Sequence, residues 1–178
     1  MNDLLITIEM TIKNTPWWVF LIFFYCVFVG IKSSKDGVVS IKKLMIIPIV
    51  FTYLSLESVY LNFKIDQFVL LVYVGAVVFG VLLGLLQAKS QGVSVDKEKQ
   101  LVAVPGSWVT LVIIMIIFFS KYYFGYALGV DPGLKTNTHF EFAMLFVSGT
   151  TAGMFVGRLL FYLNCLKKGP WVELVEDD

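Results

Sequence analysis

Apolar residues arrive in long runs along this chain, separated by short polar stretches that carry most of the charge. A helix needs about 20 mainly apolar residues to cross a hydrocarbon layer roughly 30 Å thick. Run length therefore predicts five spans, over about Trp17–Ile31, Leu44–Leu61, Phe68–Ala88, Ser107–Leu128 and Phe140–Leu166. Ahead of them, Leu4, Leu5, Ile8 and Ile12 share one helical face while Asp3, Glu9 and Lys13 lie elsewhere, the pattern of a short helix lying in an interface. A secretory signal would put positive charge before its apolar core. Here an acidic start runs into Trp17 and Trp18, which suit an anchor at headgroup level.

Three connections are short, so the spans should pack as sequential antiparallel neighbours in a single transmembrane domain over residues 1–178. The exception is "SQGVSVDKEKQLVAVPGS", Ser90 to Ser107, where "VSV" and "LVAV" flank the polar "DKEKQ". That pattern fits a small β-hairpin over about 90–106, with a plain solvated loop as the alternative, and Pro105 with Gly106 stops the strand. Lys32, Lys35, Lys42 and Lys43 crowd the first loop, Lys89, Lys97 and Lys99 the third, and Lys167 and Lys168 the tail, whereas the alternate loops hold Lys64 and Lys135. The positive-inside rule then sets the N-terminus outside and the C-terminus in the cytoplasm. The fold class is an all-α integral membrane bundle of five helices with a short interfacial N-terminal helix and a small cytoplasmic hairpin.

Composition agrees: 58% hydrophobic residues and a mean hydropathy of +0.82 exceed what a soluble domain carries. A net charge of +1 leaves no broad basic face, which argues against a nucleic-acid partner. Cys26 and Cys165 are far apart and in no C-x-x-C spacing, so they read as small core hydrophobes. His139, the only histidine, cannot supply paired haem ligation or a multi-histidine zinc site, and no metal or cofactor is expected. Nucleophile-elbow, Walker, zinc-protease and dinucleotide motifs are absent from the sequence, so an enzyme is unsupported.

Four short motifs carry a resemblance. "TPWWV" at Thr15–Val19, "PGSW" at Pro105–Trp108, "KYYFG" at Lys121–Gly125 and "GMFVGR" at Gly153–Arg158 resemble a family of small bacterial multi-pass proteins, the domain of unknown function numbered 6622. The resemblance runs from the first span to the last. It implies the multi-pass architecture and a bacterial inner-membrane address, and it implies no activity.

Within the spans, Gly149, Gly153 and Gly157 form a G-x-x-x-G-x-x-x-G ladder on the last helix, and Ala76, Gly80 and Gly84 form a similar stripe on the third. Such stripes let helices approach closely where lipid offers no hydrophobic drive, as in a glycine zipper, and they pack against each other or across a subunit boundary. Arg158, the only arginine, follows Gly157 near the cytoplasmic boundary, suited to a headgroup or to a partner contact. Glu57, roughly 20 Å along the second helix from Leu44, shares a face with Tyr53 and Tyr60. Lys121 lies at a similar depth, roughly 21 Å from Ser107. A charge at mid-membrane costs about 2.5 to 3.5 kcal/mol on insertion scales, so the two either pair, or Lys121 snorkels outward while Glu57 sits neutral against a tyrosine hydroxyl.

The reading is a non-enzymatic membrane component, self-associating or part of a larger complex, whose surroundings are the lipid bilayer. The alternative is a small transporter or channel with a titratable Glu57–Lys121 pair in the outer half of the membrane. A membrane redox helper is disfavoured for want of paired cysteines or histidines.

Overall fold

The computed structural model describes residues 17–169 and 171–174, so the interfacial helix expected over Met1–Thr15 lies outside the described residues. Five helices follow in order: α1 (Trp17–Lys32), α2 (Ile41–Asn62), α3 (Gln67–Ser90), α4 (Trp108–Val130) and α5 (Thr138–Lys168). Three short strands accompany them, β1 (Gly37–Ser40), β2 (Ser94–Asp96) and β3 (Leu101–Val104). By length and composition α2, α3, α5 and the Leu111–Val130 part of α4 can each cross a membrane. Helix α1 has 16 residues, and its length of about 24 Å falls short of a hydrocarbon core roughly 30 Å thick.

These helices are apolar around their whole circumference. In α3, Leu70, Leu71, Val74, Val78, Leu82 and Leu86 are all exposed, and only 33% of its most apolar stretch is buried inside the protein. So much uncovered apolar surface calls for a hydrocarbon surrounding rather than water. The chain is a membrane protein.

Helix ends follow local chemistry. Asp66 caps α3 by accepting the Val69 amide at 2.8 Å, and Asn137 caps α5 by accepting from His139 and Phe140. Between α4 and α5, Asp131 and Pro132 start a 3-10 turn over Pro132–Thr136, the carboxylate accepting from Gly133. Gly169 ends α5 at φ 76°, a conformation glycine adopts without a Cβ penalty.

The hairpin expected over 90–106 is present as β2 and β3, and the structure adds a strand to it. The antiparallel sheet runs β1-β3-β2, with Val39 opposite Val102 and Val102 opposite Val95. One face of this sheet buries Val95 and Val102 against Ile41, Ala88 and Tyr162. Because Tyr162 belongs to α5, the last turns of that helix prop up the sheet. The "PGSW" motif closes the same end: Gly106 donates to Asp36 Oδ1, and Ser107 donates to Ser33 O at 3.0 Å. A Cβ at Gly106 would overlap the Ser34–Lys35 backbone, so only glycine lets these two loops touch.

Beyond α5 the tail lies along β2. Trp171 bridges Val95 in parallel, and Val172 donates to Val95 O at 2.9 Å. Asp96 anchors both hairpin and tail, its carboxylate accepting the amides of Lys99 and Leu174 at 3.0 Å each. Those backbone donors, Lys99 first, hold the Asp96 carboxyl below the usual carboxylate range.

The most extensive helix contact joins α3 to α5. A Cβ at Gly80 would overlap Thr150 O, and one at Gly84 would overlap Met154 O. Reciprocally, a Cβ at Gly153 would overlap Val77 O and one at Gly157 would overlap Val81 O. Gly149 faces Ala76, whose Cβ would lie 2.8 Å from an added Cβ. The two small-residue stripes therefore meet each other inside one chain.

This contact separates glycines by role. Gly153→Ala should lower the melting temperature in mild detergent, because the new methyl meets a backbone carbonyl that cannot move alone. Gly75→Ala, on the open face of α3 with nothing within 4 Å, should be neutral or stabilising by up to about 1 kcal/mol through helix propensity. Equal melting temperatures for the two variants would contradict the seam.

Candidate functional site

At the end of the seam remote from the sheet, backbone packing gives way to side chains and polar atoms collect. Lys121 Nζ on α4 donates to Ser148 Oγ on α5 at 2.7 Å. Ser55 Oγ on α2 donates to Ser148 O at 2.9 Å, and Tyr73 OH on α3 donates to Ser55 Oγ at 3.0 Å. Four helices thus meet in one chain of hydrogen bonds around Ser148. Ser55 and Ser148 are 2% and 1% exposed, whereas Tyr73 and Lys121 are half-buried.

The position within the helices sets the depth. Lys121 lies roughly 13 Å from the Val130 end of α4 and roughly 20 Å from its Trp108 end. Above it, Val59, Phe63, Val69, Val72, Phe124, Met144 and Leu145 form an apolar cluster that closes the bundle on that side. Below it begins the glycine seam, with Gly149 next in sequence to Ser148.

An ammonium can donate three hydrogen bonds, and among the described residues Lys121 Nζ finds Ser148 Oγ alone. No carboxylate among the described residues pairs with it. A half-buried cation held by a hydroxyl is an unusual choice for a membrane-spanning helix, since a neutral residue of similar size would fill the space without the desolvation cost.

Glu57 is elsewhere. It lies with Tyr53 and Tyr60 on the exposed face of α2, the tyrosines 64% and 72% exposed. The helix starts at Ile41 and ends at Asn62, so Glu57 sits only about 7 Å from the end remote from the sheet, shallower than Lys121. The Glu57–Lys121 pair considered from sequence does not form, because Ser55, two residues earlier and on the opposite side of the helix, is the residue that faces the interior. Arg158 flanks the glycine seam as its spacing suggested. Its Nε and Nη2 donate to the buried Tyr162 hydroxyl at 3.3 and 3.2 Å, one helical turn on.

Sequence reasoning missed Ser55, Ser148 and Tyr73. A signal was there: serines inside otherwise apolar runs, one of them immediately before the first glycine of the ladder. It also missed Gly125 and Gly129 on α4, a G-x-x-x-G pair whose added Cβ atoms would meet nothing within 4 Å.

Comparison with known proteins bears on the architecture. The model of a family described as Family of unknown function (DUF6622) matches residues 2–169. The chain belongs to this family. No curated protein and no solved structure matches it. In this DUF6622 protein the stretches "PGSW" and "GMFVGR" serve the loop contact at Gly106 and the seam at Gly153 and Gly157.

The hydrogen-bond chain has a measurable signature. Ser148→Ala should destabilise the protein by about 1 to 2 kcal/mol, the range of interhelical hydrogen bonds in membranes. In a Lys121→Met background the same substitution should cost far less, since no ammonium is then left without its acceptor. Additive losses in thermal unfolding would show that the two residues are not coupled.

Proposed function

We propose that this DUF6622 protein is a non-enzymatic membrane component that works through Lys121, as a small transporter or channel for protons or anions. One observation carries the reading: a half-buried lysine held by a serine hydroxyl at the hub of a hydrogen-bond chain that four helices share, with no carboxylate among the described residues beside it. A lysine in that setting gains or loses its charge at a cost the bundle can tune, which is the property of a proton relay or an anion site. Glu57 is not needed for this role. In this reading α1 is a fifth span, braced on α4 through Phe23 and Phe118, whose ring centroids are 5.4 Å apart. The sheet end, which gathers the lysines of the first and third loops and the tail, faces the cytoplasm. The membrane is the bacterial inner membrane, on the strength of the sequence resemblance.

The test is ion flux in proteoliposomes under proton and common-anion gradients. Wild type should exceed empty liposomes and Lys121→Gln should fall to their level, whereas Glu57→Gln should retain most of the flux. Wild-type traces indistinguishable from empty liposomes would sink the transport reading.

Self-association or membership of a larger complex is the second reading, favoured by Gly125 and Gly129. The ladder on α5 is occupied within the chain, but this pair lies exposed on α4 with open space beside it. Native mass spectrometry after gentle extraction should then give added protein mass or a multiple of 20.1 kDa, reduced to the single chain by Gly125→Leu with Gly129→Leu. A bare monomer for wild type would remove this reading.

A further inference from the structure

Strand β2 has β3 on one side and the tail on the other, so the sheet continues past β2 into the residues that follow α5. Contacts of different kinds hold this short segment. Val172 donates its amide to Val95 O at 2.9 Å, and Leu174 donates its amide to Asp96 Oδ2 at 3.0 Å. Lys97 Nζ stands 4.6 Å over the Trp171 ring. Lys99 Nζ donates to Glu173 Oε1 at 3.3 Å and to Leu174 O at 3.1 Å. Strand β2 and the turn after it thus read an aromatic face, a carboxylate two residues on, and an extended backbone whose amides point at the sheet.

These contacts lie at the surface. Trp171 and Val172 are 53% and 50% exposed, and Lys99 meets Glu173 in an exposed ion pair. Exposed ion pairs contribute little, and a segment with few buried apolar contacts opens far more readily than the fold as a whole. The edge outlasts such an opening, because β2 stays paired with β3 and Val95 stays buried against Ala88 and Tyr162. An edge strand left unpaired is a template for another extended segment.

We propose that the outer edge of β2 is a docking site for an extended acidic segment of a partner protein, which the chain's own tail occupies until the partner displaces it. The incoming segment adds as a parallel strand, with an aromatic residue at Lys97 and a carboxylate at Lys99. Charge selects the class of partner: both lysines are exposed, and the present occupant begins the acidic end of the chain, "WVELVEDD". A basic segment would meet two lysines. A lipid surface or a nucleic acid presents no row of backbone amides for Val95 O and Asp96 to accept. The inference is independent of Lys121, which lies in the other half of the bundle.

The experiment measures binding of a fluorescent peptide of the tail sequence, Trp171 to Asp178, to the full chain in nanodiscs of zwitterionic lipid. In wild type the peptide competes with the tethered tail and should bind weakly. Val172→Pro in the protein removes the amide that donates to Val95 O and frees the edge. The peptide should then bind about tenfold more tightly, since apparent affinity scales with the fraction of chains whose edge is open. Leu174→Pro, which removes the donor to Asp96, should give a smaller gain in the same direction. On the Val172→Pro chain, a peptide N-methylated at the Val172 position, or one with lysine at the Glu173 position, should lose most of that gain. Equal affinity for wild type and Val172→Pro, or for the unmodified and N-methylated peptides, would overturn the inference. Wild-type oligomers that the peptide splits into single chains would overturn the separate partner and assign the edge to the tail of a second copy.

Discussion

Everything in this bundle hangs on two backbones being allowed to touch. In water, helices are driven together by apolar surface, but in lipid the surrounding chains are as apolar as leucine and that drive is lost. What remains is close van der Waals contact, which falls off steeply with a gap of even half an ångström. Glycines at 80, 84, 153 and 157 remove the side chains that would create such a gap, so that carbonyls of Val77, Val81, Thr150 and Met154 sit where Cβ atoms would otherwise be. A rigid α3–α5 pair follows, and other elements are placed relative to it. The C-terminal turns of α5 reach past the seam to carry Tyr162 under the sheet, and its middle turns present Ser148 to α2 and α4.

The location of the polar chain follows from the same constraint. Along the seam, backbone contact leaves no room for side-chain hydroxyls between α3 and α5. Beyond Gly149 the helices are spaced by Leu145 and Met144, and there polar atoms find space without meeting water. The energetics are close to balance. One hydrogen bond to a charged group contributes about 1.5 to 3 kcal/mol, against about 2.5 to 3.5 kcal/mol for a cation at mid-membrane on insertion scales. The Ser148 bond therefore roughly offsets the burial of Lys121 and leaves no surplus.

How much of this was legible in the sequence depended on the kind of signal each feature leaves. Four of the spans, the hairpin and the small-residue stripes rest on run length, alternation and fixed spacing, and these survive without any knowledge of neighbours. Strand β1 left no such trace: "GVVS" is four residues long and its partner β3 lies more than sixty positions away. The facing of α2 was equally hidden. A helix that is apolar all round has no polar face to set its rotation, so Glu57, the conspicuous charge, drew attention away from Ser55, which turns inward. Depth errors compounded this, because counting from Leu44 placed Glu57 deeper than a helix ending at Asn62 allows. Arg158 drew attention as a headgroup or partner contact, and its hydrogen-bond partner Tyr162 becomes evident only once both are known to share one continuous helix.

The two ends of the bundle are built differently, and the site lies in the less constrained half. Towards the sheet, α1, α2, α3, α4 and α5 are tied through strand pairing, the Gly106–Asp36 contact and the tail held by Asp96. Towards the other end, the connections are a few residues long and capped locally by Asp66, Asp131 and Asn137. Rigid attachment at one end and side-chain packing at the other is the arrangement in which a small change near Lys121 can open or close the apolar cluster above it without disturbing the seam. The cluster of Phe124, Met144 and Leu145 is built from side chains, so its rearrangement costs rotamers and packing rather than the hydrogen-bonded sheet. Of the two ends, this is the part of the fold where rearrangement is least expensive.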